Sequence, residues 1–253
     1  METMEQRRES IVELINTKGS ISFAELKEAF PGVSEMTLRT DLKNLDGEKK
    51  IIRIHGGAKS IYQVIGTDGL YGVRAVMNTG AKQLIAEKAA RLIRPGSTIF
   101  LDSGSTAALL AKVIPDQGNI IYTTGLNCAV ELARLEEARV YVPGGAMNRY
   151  SMSLYGSSVI EELEQVNFDI AFMGVTKVSA KAGLTCGSYD EAALKKAAMR
   201  RAERKVVLMD SSKINQKCPF NICAINEVDM IISDGGLPES FVRECQAAGV
   251  EII

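Results

Sequence analysis

The chain has 253 residues, 46% of them hydrophobic and 24% charged, with a net charge of −1. The length suits a domain of about 60 residues plus one of about 180, and the composition is ordinary for a globular protein. With five cysteines in no C-x-x-C pair and no apolar run near membrane-spanning length, a disulfide framework, a zinc ribbon and a membrane helix are excluded.

The N-terminus opens directly into a charged helical pattern without the apolar stretch of a signal peptide, so a cytoplasmic home is expected. Residues 5–16 set Ile11, Leu14 and Ile15 at helical spacing behind Arg7 and Arg8. Ile21 to Phe30 reads as a second short helix, ended by Pro31-Gly32. Ser34 is well placed to cap a third helix running to about Asp46. Lys49 to His55 has β character and stops at Gly56-Gly57. Three helices and a β element give residues 1–57 the order of a winged helix-turn-helix.

Residues 58–78 show no sustained period and read as a linker. From Thr79 to Ile253 the pattern changes to short apolar strands separated by amphipathic helices. Strands are expected at 98–101, 119–123, 140–142, 168–173, 205–209, 230–233 and 250–252. Helices are expected at 81–93, 105–114, 126–135, 157–166, 189–203 and 238–248. That alternation is the signature of a mostly parallel sheet covered on both faces, an α/β domain.

The third helix turns Leu38, Leu42 and Leu45 to the head's core and presents Met36, Thr40 and Lys43, flanked by Thr37, Arg39 and Asn44, on the opposite side. Those groups suit a helix in the major groove of double-stranded DNA, and Arg53 and His55 share a face of the wing. The head holds nine Lys and Arg against ten Asp and Glu, so attraction to phosphates has to come from clustering on one face. A protein-binding helical head is the other reading of the same pattern. His55 is the single histidine, so Ser-His or Cys-His catalysis and multi-histidine metal sites would all have to be built on it. No metal and no cofactor is expected.

Four loops rich in glycine or hydroxyl groups each follow a strand: Asp102-Ser-Gly-Ser-Thr106, Thr123-Thr-Gly-Leu-Asn127, Pro143-Gly-Gly145 and Gly174-Val-Thr-Lys177. In open α/β sheets ligands bind at the carboxyl ends of strands, and amides at a helix start beside small hydroxyls hold anions. Lys177, Lys195, Lys196 and Lys213 are available basic partners, whereas Lys82 and Arg91 read as surface.

Val33-Ser-Glu-Met-Thr-Leu-Arg-Thr-Asp-Leu42 followed by Ile52-Arg-Ile-His-Gly-Gly-Ala58 resembles the head of the DeoR-type bacterial repressors, whose pattern is V-S-x-x-T-I/V-R-R-D-L and then R-x-H-G-G-A. By this resemblance Ser34, Thr37 and Arg39 contact DNA. Thr40 stands where the family has a second arginine, which removes a cation from the groove-facing side. Leu101-Asp-Ser-Gly-Ser-Thr106, Gly144-Gly145, the block Asp190 to Met199 and Asp210-Ser-Ser-Lys213 also fall in family order. The resemblance implies a sensor domain similar to ribose-5-phosphate isomerase and a phosphorylated sugar or sugar alcohol as effector. Ser103, Gly104, Ser105 and Thr106 would then hold the phosphate. Asp102, Thr124, Gly125, Gly145, Lys177, Lys195 and Lys213 would line the rest. The pair Thr123-Thr124 replaces the usual T-N, and Ala81-Lys82 the usual Glu-Lys.

Isomerases of this fold move protons with an acidic D-G-A-D-E type loop after the strand equivalent to 168–173. Here the corresponding positions are Thr176 and Lys177, and Lys195 stands where those enzymes tend to place an acid. A pocket that binds without turnover is expected, with an isomerase-like enzyme bearing a DNA-binding head as the alternative. A head of net charge −1 calls for avidity, so a homo-oligomer, dimer or tetramer, is expected to read a repeated site.

Overall fold

The structure is a computed structural model that describes residues 3–48, 50–60 and 71–253. The chain divides into two compact units, Met1–Leu70 and Tyr71–Ile253.

In the first unit, α1 (Met4–Lys18) is opened by a capping box between Thr3 and Gln6. Strand β1 (Ser20–Ser22) follows, and Ser22 and Glu25 form a second capping box that starts α2 (Phe23–Ala29). Helix α3 (Glu35–Gly47) begins where the Ser34 hydroxyl accepts from the Thr37 amide. Strands β2 (Ile51–Ile54) and β3 (Gly57–Ser60) complete an antiparallel sheet of order β1-β3-β2. Ile11, Ile15, Leu26, Leu38, Leu42, Leu45 and Ile51 form the core. Two expectations change. Ile21 opens no helix: it pairs with Ala58 in β1 and is buried, so a long-range ladder overrides the local helical stripe. Residues 58–60, expected as linker, continue β3 of the head. The expected linker between 61 and 70, and Lys49 at the start of the wing, lie outside the described residues.

The second unit opens with α4 (Tyr71–Val76), again inside the stretch expected to be linker, and α5 (Thr79–Ala90). Then come β4 (Thr98–Leu101), α6 (Ser105–Val113), β5 (Ile120–Thr123), α7 (Leu126–Leu132) and β6 (Arg139–Tyr141). A hairpin of β7 (Ala146–Asn148) and β8 (Ser153–Tyr155) precedes α8 (Ser157–Glu164) and β9 (Phe168–Gly174). Strands β10 (Lys177–Ser179) and β11 (Gly183–Cys186) lead to α9 (Tyr189–Arg201) and β12 (Ala202–Leu208). The unit ends with β13 (Phe220–Cys223), β14 (Met230–Ile232), α10 (Glu239–Ala247) and β15 (Glu251–Ile252).

Seven of these strands form one sheet of order β15-β14-β12-β9-β4-β5-β6, parallel throughout. Alternation sends Ile99, Leu101, Ile170, Phe172, Val206 and Leu208 to the face covered by α5, α6 and α7. Phe100, Ala171, Met173, Val207 and Ile231 go to the other face, under α8, α9 and α10, and Phe168 at the very start of β9 packs in the same cluster. Both faces are dry, which is why the strands read as apolar runs. Strands β10, β11 and β13 make a small antiparallel sheet. No helix among the described residues is long and apolar enough to cross a membrane.

Candidate functional site

The head presents one face of α3. Met36 is 76% exposed, and Arg39, Thr40 and Lys43 are also exposed, while Thr37 and Asn44 are half-buried. The Arg39 guanidinium lies over the Phe23 ring, 4.2 Å from its centroid, which fixes a long side chain at the edge of the face. Thr40 donates its hydroxyl to the Met36 carbonyl at 2.9 Å, so its polarity is turned back on its own helix. Ser34 is occupied by the Thr37 amide and hydroxyl. Arg53 and His55 are exposed, and the Arg53 amide donates to Asp46 at 2.9 Å, tying the wing to the end of α3.

What aims this face is a residue the sequence reading passed over. Asp41 of α3 is buried and takes hydrogen bonds from Arg7 Nε at 2.7 Å and Arg8 Nε at 2.9 Å on α1. Burial alone would raise its pKa; the two guanidiniums outweigh that and hold the carboxyl below its ordinary value.

In the second unit the chain leaves β4 toward β5 and β6 on one side and returns to β9 on the other, so the split falls between β4 and β9. Asp102 sits at the end of β4 and is 1% exposed. Its carboxylate accepts from the Gly174 amide at the end of β9, 2.8 Å away, and from the Lys195 ammonium of α9. Glu191, one turn earlier, lies 3.1 Å from the same ammonium. Burial opposes the lysine's charge, but Asp102 and Glu191 overcome it and hold its pKa above the ordinary value. Lys195 and Asp102 therefore latch β4, β9 and α9 together beneath the loops.

Above that latch, α6 starts at Gly104 with φ +131°, a conformation strained for any residue with a Cβ. No side chain caps this helix start. Ser105 is buried in its first turn, with Ser103 and Thr106 half-buried beside it. The next loop packs on this one: a Cβ on Gly125 would lie 2.9 Å from the Ser103 Cα. Thr124 is 1% exposed, and its hydroxyl has no partner among the described residues; Asn127 Nδ2 is likewise buried and unpartnered there. Gly145 is required for a different reason, since a Cβ there would meet Val159 Cγ2 at 2.4 Å and the Tyr155 carbonyl at 2.6 Å. Lys177 begins β10, and Lys213 ends the short turn Ser211–Lys213; both are half-buried.

Two residues not expected at the site lie beside it. Arg74 of α4 brings Nη1 to 3.7 Å from where a Gly104 Cβ would sit, and its Nε is buried without a partner among the described residues. Lys82, expected at the surface, is only 4% exposed. It donates to the Arg74 and Met77 carbonyls, each at 2.5 Å, and so grips the C-terminal end of α4. A separate groove of about 560 Å³ is lined by Lys196, Arg200, Lys205, Asn221 and Glu227. It includes none of the four loops.

A winged helix-turn-helix head joined in one chain to a parallel α/β unit with glycine- and hydroxyl-rich loops at its strand ends is the architecture of a DNA-binding regulator with a sensor domain. The pattern of the DeoR-like helix-turn-helix domain matches residues 7–64, and that of the DeoR C terminal sensor domain matches residues 77–235. The chain belongs to the DeoR family of transcriptional regulators. It is 32% identical over 98% of its length and 93% of the other's to a protein of Escherichia coli O157:H7 named for repression of the aga operon. It is 31% identical to the transcriptional regulator GlpR of Haloferax volcanii, over 98% of this chain and 96% of that one. It is 30% identical to the glycerol-3-phosphate regulon repressor of Escherichia coli K12, over 94% of each. Among solved structures, a ribose 5-phosphate isomerase from Methanocaldococcus jannaschii aligns with a TM-score of 0.41 and 23% identity, over 54% of this chain and 55% of that one.

Proposed function

We propose that the protein represses a carbohydrate-utilisation operon and that a phosphorylated sugar or sugar alcohol, bound at the ends of β4, β5 and β9, tunes its hold on operator DNA. The observation that carries this is the start of α6: an uncapped helix N-terminus at Gly104 with Ser105 buried in its first turn, facing a loop whose Thr124 hydroxyl is buried and unsatisfied. The names of its relatives, an aga operon repressor and a glycerol-3-phosphate regulon repressor, support the same class of effector. Met36, Thr37, Arg39, Thr40, Lys43 and Asn44 of α3 would lie in the major groove, with Ser34 at its start and Arg53 and His55 of the wing beside the backbone. The protein binds its effector without turning it over, because Asp102 and Glu191, the acids beside the pocket, are both engaged by Lys195, and threonine and lysine stand at 176 and 177 where an acid would be needed. It works in the cytoplasm as a homo-oligomer, which supplies the avidity a weakly charged head needs.

Thermal melting of the full chain against phosphorylated sugars, sugar alcohols and their unphosphorylated parents tests the reading, since a ligand of the native state raises the melting temperature. One phosphorylated compound should stabilise, its parent should not, and Ser105→Asp should abolish the shift. Aldose–ketose interconversion by the full chain would overturn the non-enzymatic reading.

A further inference from the structure

We propose that Arg74 is the cation that recognises the effector's phosphate; this rests on the site reading given above. The two buried lysines of this unit, Lys195 and Lys82, are already committed. Lys195 is locked between Asp102 and Glu191, and Lys82 is spent on two carbonyls. A dianion placed on the amides of α6 would have no charge partner from either.

Arg74 reaches that point from outside the sheet. Its Nη1 stands beside Gly104, the residue that opens α6. Its Nε is desolvated and has no acceptor among the described residues. An unsatisfied guanidinium nitrogen is costly to bury and asks for an acceptor oxygen. A phosphate at the α6 terminus supplies oxygens in the geometry a guanidinium fork matches, two parallel N–H donors to two oxygens. The unsatisfied Thr124 hydroxyl, in the loop packed on Ser103, and the Asn127 amide, in the first turn of α7 beyond it, offer further hydrogen bonds to the same ligand.

The position of Arg74 is fixed by three independent holds on the segment that carries it. The Tyr71 amide donates to the Tyr150 carbonyl at 2.8 Å. Lys82 grips the carbonyls of Arg74 and Met77. Asn78, at φ +50°, donates to Asp210 at 3.1 Å. The cation is thus set in place before a ligand arrives, which limits the ordering lost on binding.

The test uses the full chain, with inorganic phosphate and the stabilising phosphorylated compound as probes, measured by calorimetry on wild type, Arg74→Gln, Arg74→Lys and Ser105→Asp. Arg74→Gln is expected to weaken both probes by about tenfold to a hundredfold and to flatten the salt dependence of binding. Arg74→Lys should recover part of the affinity, which a purely structural role would not predict. If Arg74→Gln binds both probes as wild type does while Ser105→Asp does not, the site stands and the arginine is not its cation. If wild type binds no phosphorylated compound, the site reading itself falls.

Discussion

Lys195 and Asp102, 93 positions apart in sequence, meet as an ion pair in which each side chain is 1% exposed. Removing one partner of such a pair strands the other in a dry interior. Lys195→Met should destabilise the second unit by on the order of 3 kcal/mol, lowering its melting temperature by about 6–12 °C. Combining it with Asp102→Asn should recover much of that loss. An unchanged melting temperature with loss of the ligand-induced shift would instead make Lys195 a ligand contact.

Asp41 does comparable work in the head. Its pKa is lowered, so its contribution is present above the ordinary carboxylate value and lost as pH falls through the lower folded value. Asp41→Asn should cost about 2 kcal/mol, less than a fully enclosed pair because Arg7 and Arg8 keep some solvent contact. Operator affinity should fall with it while the effector-induced melting shift of the second unit stays intact, as gel shift and calorimetry together would show.

Among the described residues, the cations Arg39, Lys43 and Arg53 of α3 and β2 make no ion pair. If each meets one phosphate, log affinity for duplex DNA should fall against log salt with a slope of about −3 per head. Restoring the family's arginine by Thr40→Arg should steepen that slope by about one and tighten binding to unrelated sequence as well. No change in slope would place position 40 off the DNA.

Alkali should loosen the second unit through its buried thiols. Burial pushes Cys128 up to about 12 from an ordinary value of 9.0. The folded state therefore favours the neutral thiol, and this stability, complete below pH 9, is lost as pH rises toward 12, at about 1.4 kcal/mol per pH unit. Melting measured from pH 8 to 10.5 should fall less steeply in Cys128→Ala than in wild type, and equal slopes would contradict this.

The parallel sheet was legible because its inner strands, β4 and β14 among them, are apolar on both faces, and the third helix because Ser34 caps a stripe of Leu38, Leu42 and Leu45. The D-S-G-S-T loop marked the start of α6 for the same reason: its chemistry is local. Long-range pairings were not legible. Asp41 finds its partners 33 and 34 positions away, and Thr185 pairs with Asn221 in a sheet no periodicity announced. The strands of the β7–β8 hairpin are three residues each, too short to show alternation. Arg74 lies in a glycine-flanked stretch without period, and Lys82 looks like any exposed helix lysine until its two carbonyl acceptors are seen.

The unit boundary falls between Leu70 and Tyr71, and Arg74 is on the first helix beyond it. The residue proposed to meet the ligand is therefore close in sequence to the segment that joins the two units, which gives the ligand a covalent route toward the head. Inserting a few Gly-Ser residues after Leu70 should then leave operator affinity and ligand affinity each as they were, yet make the one deaf to the other.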